Sequence, residues 1–313
     1  MDVTPGAVQP SPFAEPDEAT GVFGVDAPRT SAAATIELAI MLTAPRGETM
    51  MSTVSDLHPP HRNPGEFPPE EWAVRCDLAA AYRLCALYGW TDLNNTHISA
   101  RVPGTGDEFL LNPFGLFFEE ITASSLIRVD RQGNVVSGSD FGMNKAGFII
   151  HGAIHLNHPH LHYVMHTHSR YGVAVSMQKE GLLPNSQKAL TILGWTGYHD
   201  YEGTATEADE RPRIVRDLGD RRLLILRNHG LLSVGETMGE AFVWIYRLET
   251  ACRHQIDALA GGAELQPLSP ETRERTIRQG LKMYGPGGFI EVGKEWPALL
   301  RQLARAGMDD YCT

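Results

Sequence analysis

From Glu70 onward apolar residues recur at helical spacing: Trp72, Cys76, Ala79, Ala80, Leu84 and Leu87 lie three or four apart, and Gly89 supplies a stop. This predicts a first helix over about 70–88. The pattern then changes to short strand-like runs. "THISARV" and "EFLLNP" flank the turn cluster Pro103-Gly104-Thr105-Gly106, and "LIRVD" and "NVVSG" flank Arg131-Gln132-Gly133, so two hairpins are expected. Asn144 can cap a helix through "KAGFIIHGAIHLNH" that stops at Pro159. The strand "LHYVMHTHS" follows, then a short helix from about Tyr171 to Lys179. After an ambiguous stretch, "RRLLILRNHG" reads as a buried strand and "GETMGEAFVWIYRLETACRHQIDALAGG" as a long helix stopped by paired glycines. Hairpins flanked by helices argue for an α/β chain, a three-layer α/β/α arrangement around a mainly antiparallel sheet.

Residues 1–66 lack this periodicity. "MDVTPGAVQPSPFAEPDEATGVF" and "HPPHRNPGEFPP" are rich in Pro, Ala, Gly and acid, so the segment reads as a weakly ordered extension. Its one apolar island, "SAAATIELAIMLTAP", could form a short helix. Residues 67–265 then form the main domain, and 266–313 a helical tail packed on it. A formal charge of −11 and a pI near 5.6 argue against nucleic acid as partner, since such proteins concentrate positive charge on one face. No apolar run reaches the roughly 18–20 residues of a membrane span, and no basic-then-apolar leader is present. Cys76, Cys85, Cys252 and Cys312 have no zinc-knuckle or disulfide-framework spacing, so reduced thiols in a cytoplasmic protein are expected.

The chemistry is concentrated in imidazoles. Seven of the thirteen histidines fall between 151 and 168. In a strand, His166 and His168 project to one face, with roughly 7 Å between their Cα atoms, and can converge on one cation. A divalent metal held at about 2.0–2.1 Å from each nitrogen needs a third ligand. His229 is the candidate, because Asn228-His229-Gly230 ends the apolar run "LLIL" and the glycine lets the backbone turn. His151 and His155 share a face of the preceding helix, and His151 could look into the same cavity. His158, His160 and His162, around Pro159, read as surface residues.

The ordered blocks "NNTHISARVPGTGDEFLLNPFGLFFEEITASSLIRVDRQGNVV", "NKAGFIIHGAIH", "VMHTHS" and "LILRNHGLLSVGETMGEA" resemble the class II aldolase/adducin family over about 70–262. The resemblance implies a three-layer fold, a homotetramer with sites near subunit contacts, and a divalent metal on His166, His168 and His229. Zinc is the first candidate, with manganese and iron as alternatives. Positions matching substrate contacts are Asn94, Phe114, Gly115 and Lys145. The sugar-phosphate aldolases of the family carry an acid/base glutamate where an ungapped count from His166 reaches Gly147, and hydroxyl donors for phosphate where Phe114-Gly115 and Lys145-Ala146 stand here. In these respects the chain looks closer to the adducin-like branch.

The expectation is therefore a metal-dependent lyase of aldolase or decarboxylase type acting on a small, unphosphorylated hydroxy- or oxo-acid, aromatic if Phe114 and one of Phe117 and Phe118 line the pocket. Decarboxylation needs no base to begin, so it tolerates the missing glutamate better than aldol cleavage does. Proton donors to consider are His151 and the loop residues Tyr198 and His199. Two rivals are an iron-dependent oxygenase on the same scaffold and a non-enzymatic adducin-like interaction module.

Overall fold

The computed structural model describes residues 63–138, 141–203 and 210–313. The extension over 1–66 and its possible helix lie outside the described residues, apart from 63–66. Helix α1 spans Pro69–Tyr88 and ends where Gly89 adopts a left-handed φ of 69°, as its spacing predicts. The two hairpins form as expected: β1 (His97–Arg101) pairs antiparallel with β2 (Phe109–Leu111), and β3 (Ile127–Val129) with β4 (Val135–Ser137). Helix α2 (Lys145–Asn157) follows, where the Gly147 N–H donates to Asn144 Oδ1 at 3.3 Å. Strand β5 (Tyr163–Thr167) and helix α3 (Arg170–Ser176) come next.

The ambiguous stretch resolves into α4 (Gln187–Leu193), β6 (Thr196–His199) and α5 (Arg211–Leu218). Strand β7 (Leu223–Leu226) then turns back into β8 (Gly230–Gly235), a strand the hydrophobic pattern does not separate from its neighbour. Helix α6 (Met238–Ala260) is capped by Thr237, whose side chain accepts from the Glu240 N–H; such a cap is worth about 1 kcal/mol. Among the described residues eight strands join one sheet in the order β4-β3-β2-β1-β5-β8-β7-β6, in which only β6 and β7 run parallel. That pair needs a crossover, which α5 supplies.

Period-two alternation divides the core between the two faces of this mixed, mostly antiparallel α/β sheet. Met165, Leu223, Ile225 and Leu231 meet α1, α3 and α6, while Val164, Leu224, Leu226 and Leu232 meet Ile150 and Ile154 of α2 and Ile214 and Leu218 of α5. On β1 the same alternation turns Ile98 and Ala100 toward α1, which leaves His97 and Ser99 facing α2. The functional residues therefore gather between the sheet and α2.

Helices α7 (Pro270–Tyr284) and α8 (Trp296–Arg305) complete the chain. Trp296 Nε1 donates to Asp77 Oδ1 of α1 at 2.7 Å. Gly280 lies so close to α4 that a Cβ there would sit 2.1 Å from the Thr191 carbonyl. The expectation of reduced thiols throughout is corrected here, because Cys76 and Cys312 form a disulfide across 236 residues of sequence. Spacing gives no hint of this bond, since folding alone brings the last residues onto α1. Cys85 and Cys252 are free and buried. Among the described residues no helix is long and apolar enough to cross a membrane.

Candidate metal centre

His166 lies in β5 and His168 just past its end, so both rings emerge on the α2 side of the sheet. His229 occupies the β7–β8 turn. The left-handed conformation there belongs to Asn228, at φ 56°, rather than to Gly230. Gly230 is required for close approach instead, since a Cβ would fall 2.5 Å from the Thr167 carbonyl and 3.2–3.3 Å from the rings of His168 and His166. The three imidazoles converge, with their candidate ligand atoms all within 4.8 Å of one another.

Hydrogen bonding fixes the orientation of two of these rings. His166 Nδ1 lies 3.0 Å from the Leu231 carbonyl, and His168 Nδ1 lies 2.8 Å from Asp92 Oδ2. Both partners are acceptors, so both Nδ1 atoms carry a proton, and in the neutral rings both Nε2 atoms present lone pairs. Those two Nε2 atoms face each other at 3.0 Å. Two lone pairs at that distance repel unless a cation lies between them, either a metal ion or a proton donated by His168. A proton is a poor candidate at His166, because burial holds that imidazole well below its ordinary pKa. Burial likewise lowers His229 to about 4. Three converging imidazoles, two of them with acceptors behind them, fit a borderline divalent ion.

Around this cluster the other candidates separate. His151 is fully buried one layer back; its ring lies 4.4 Å from that of His97, which is itself 5.2 Å from His166. His199 and His229 line one small recess with Asp200, Tyr201 and Glu210. Both His199 nitrogens face carboxylates, Nδ1 at 2.8 Å from Asp217 and Nε2 at 3.0 Å from Glu210. Tyr198 points to the opposite face of β6, where its hydroxyl accepts from the Leu182 N–H at 3.0 Å and Arg227 stacks over its ring. The structure thus brings His199 beside the cluster and keeps Tyr198 away from it.

Asn94 donates from Nδ2 to the Phe114 carbonyl, the Phe114 N–H donates to the Gly142 carbonyl, and Asn144 donates to the Asn95 carbonyl. These bonds knit three loops into one rim, joined to the cluster through Asp92. The side chains on these loops are largely apolar: Leu93 is 66% exposed, Phe114 40% and Phe141 58%. Leu93 has a φ of 51°, rare for a branched residue and a mark of local strain beside a site. Gly115 lies under Phe141, whose ring leaves no space for a side chain there. Lys145 is exposed at the start of α2, and Phe118 is core, packed edge-on against Tyr82.

Sequence reasoning passed over three residues. Asp92 lies 76 positions before the histidine it holds, in a loop without a motif. Ser99 is hidden inside a strand. His97 pairs with His166 in register and fills the space beside Gly147, where a Cβ would fall 1.8 Å from His97 Nε2.

Comparison with known proteins places this arrangement. The model of the "Class II Aldolase and Adducin N-terminal domain" matches residues 76–256. This chain belongs to the class II aldolase and adducin family. A Caulobacter vibrioides protein bearing the class 2 aldolase name is 51% identical, over 77% of this chain and 93% of its own. Alpha-adducin of Rattus norvegicus is 42% identical over 76% of this chain, which covers 34% of that longer protein. A crystal structure of an aldolase II superfamily protein from Pseudomonas syringae superposes with a TM-score of 0.73 at 47% identity, covering 79% of this chain and 98% of that one. The L-fuculose 1-phosphate aldolase of Glaciozyma antarctica matches at TM-score 0.65 and 27% identity, over 82% and 98%.

Proposed function

We propose that this class II aldolase family member is a metal-dependent lyase that cleaves a carbon–carbon bond in a small, unphosphorylated hydroxy- or oxo-acid. The supporting observation is the convergence of three imidazoles with their candidate ligand atoms within 4.8 Å, while the Nδ1 atoms of His166 and His168 are committed to acceptors behind them. In this reading His166, His168 and His229 hold one divalent ion, zinc first, with manganese or iron as alternatives. The ion, when bound, stabilises negative charge developing on a substrate oxygen.

The chain's own residues define the rest. Asp92 orients His168, and the Leu231 carbonyl orients His166. His97 occupies the space beside residue 147, so the site presents a neutral imidazole where the resemblance to sugar-phosphate aldolases places a carboxylate. Phe114 and Ala146 stand where those enzymes carry hydroxyl donors to phosphate, and the exposed phenylalanines of the rim suit an apolar or aromatic substrate group. His199, next to His229 with both nitrogens on carboxylates, is the better placed of the two loop candidates for a proton at the site. Asn94, Gly115 and Lys145 are rim residues that position substrate, and assembly as a homotetramer belongs to the same reading.

The 42% identity to alpha-adducin favours a second reading, a protein-interaction module with a residual pocket. Metal analysis of protein purified without chelators or a histidine tag, followed by a cleavage screen of hydroxy- and oxo-acids, separates the two. Bound metal with metal-dependent turnover supports the lyase, and bound metal without turnover of any acid supports the module.

A further inference from the structure

Behind the cluster, three polar side chains form a hydrogen-bonded row between β1 and α2. Ser99 Oγ lies 2.7 Å from His155 Nε2 and 2.7 Å from His151 Nδ1, and His155 Nδ1 lies 3.3 Å from the Leu161 carbonyl. All three residues are at most 1% exposed. Phe109 stacks on His155 at 4.7 Å and 14°, which fixes that ring in its plane.

The direction of the row follows from its far end. A backbone carbonyl only accepts, so His155 carries a proton on Nδ1. Burial keeps the ring neutral, so His155 Nε2 is a lone pair and must accept from the Ser99 hydroxyl. Serine has one proton, and it is now committed to His155. Ser99 Oγ can therefore meet His151 Nδ1 only as an acceptor, which places the His151 proton on Nδ1. The second nitrogen, His151 Nε2, is left as a lone pair, and it is buried without a hydrogen-bond partner among the described residues. His97 Nδ1, the nitrogen of the adjacent ring, is likewise buried and unpartnered. The row thus ends in an acceptor on the ring that lies 4.4 Å from His97.

We propose that Ser99 and His155 are positioning residues that lock His151 in the Nδ1–H tautomer and leave its Nε2, in the ring packed beside His97, as a hydrogen-bond acceptor. The inference rests on the cluster being the reaction centre for its functional meaning, though the tautomers do not depend on that. It replaces the expectation that His151 donates a proton with the opposite role. The row is not a proton conduit, since it ends at the Leu161 carbonyl, which cannot take up a proton and pass it on. Free imidazole favours the proton on Nε2, so without the serine His151 should revert to that tautomer.

Long-range proton–nitrogen spectra of the full chain labelled with ¹⁵N-histidine, taken metal-free near pH 7, test this directly. The expected result is Nδ1–H for both His151 and His155, with Ser99→Ala converting most of His151 to Nε2–H while His155 is unchanged, and Ser99→Thr restoring the native tautomer. A His151 proton on Nε2 in the unaltered protein overturns the proposal, as does an unchanged His151 tautomer in Ser99→Ala. If Ser99→Ala does not fold, the unaltered protein's spectrum still decides. Because these spectra need no metal, failure of the lyase reading would show separately, in the metal content.

Discussion

At the residue scale, burial determines what the histidines can do. His155 has its pKa lowered to about 3 by desolvation first and by Arg101 second, whereas an unfolded histidine titrates near 6.5. The unfolded chain therefore binds more protons as pH falls, so this contribution is complete above about pH 6.5 and is lost on acidification toward pH 3. Urea unfolding between pH 6 and pH 4 should show stability falling with pH, and His155→Gln should flatten the slope by up to about 1.4 kcal/mol per pH unit. An unchanged slope would show that His155 is already protonated in the fold. Gly147 offers a second test at this scale. Gly147→Glu would drive its side chain into the His97 ring, and overpacking of this kind costs about 1–3 kcal/mol or more. Combining it with His97→Ala should recover at least half of that loss in the same unfolding experiment; full additivity would separate the two positions.

Among elements, those with strong periodicity or turn chemistry were legible. α1, both hairpins, α2 and α6 follow from apolar spacing, capping residues and glycine stops, all of which act locally. β8 was not legible, because "GLLSVG" continues an apolar run after only a short turn. α4, β6 and α5 have short patterns whose identity depends on packing, notably the parallel pairing of β6 with β7. The three clustered histidines could be named from one strand motif and one turn motif. Their supporting residues could not, since Asp92, Ser99 and His97 acquire meaning only when distant strands and loops meet. The same holds for Cys76 and Cys312. Their bond ties the chain's last residues to α1, and the Ala123 and Ser124 N–H groups of the loop before β3 also donate to the carbonyls of Tyr311 and Thr313. Cys312→Ser should cost about 2–4 kcal/mol and lower the Tm under non-reducing conditions. An identical Tm in both proteins, with and without reductant, would show that the bond carries no load.

For the whole molecule, the proposed specificity rests on the sheet, α2 and the exposed apolar side chains taken together. In that proposal Leu93, Phe114 and Phe141 offer few hydrogen bonds to a dianion, and Gly147, at the position matched to the aldolase carboxylate, supplies no base. Steady-state assays should therefore find turnover among free hydroxy- and oxo-acids, with fuculose and ribulose phosphates competing weakly. Robust turnover of a sugar phosphate would refute this account of specificity.

The central claim, that three imidazoles hold one divalent ion, is tested most directly by metal content per chain. The unaltered protein, purified without chelators or a histidine tag, should carry about one ion per chain, as one three-ligand site predicts. His166→Ala, His168→Ala and His229→Ala should each lose most of it while remaining folded. Metal retained after any two of these single changes, or none bound to the unaltered protein when metal is supplied, would contradict the claim.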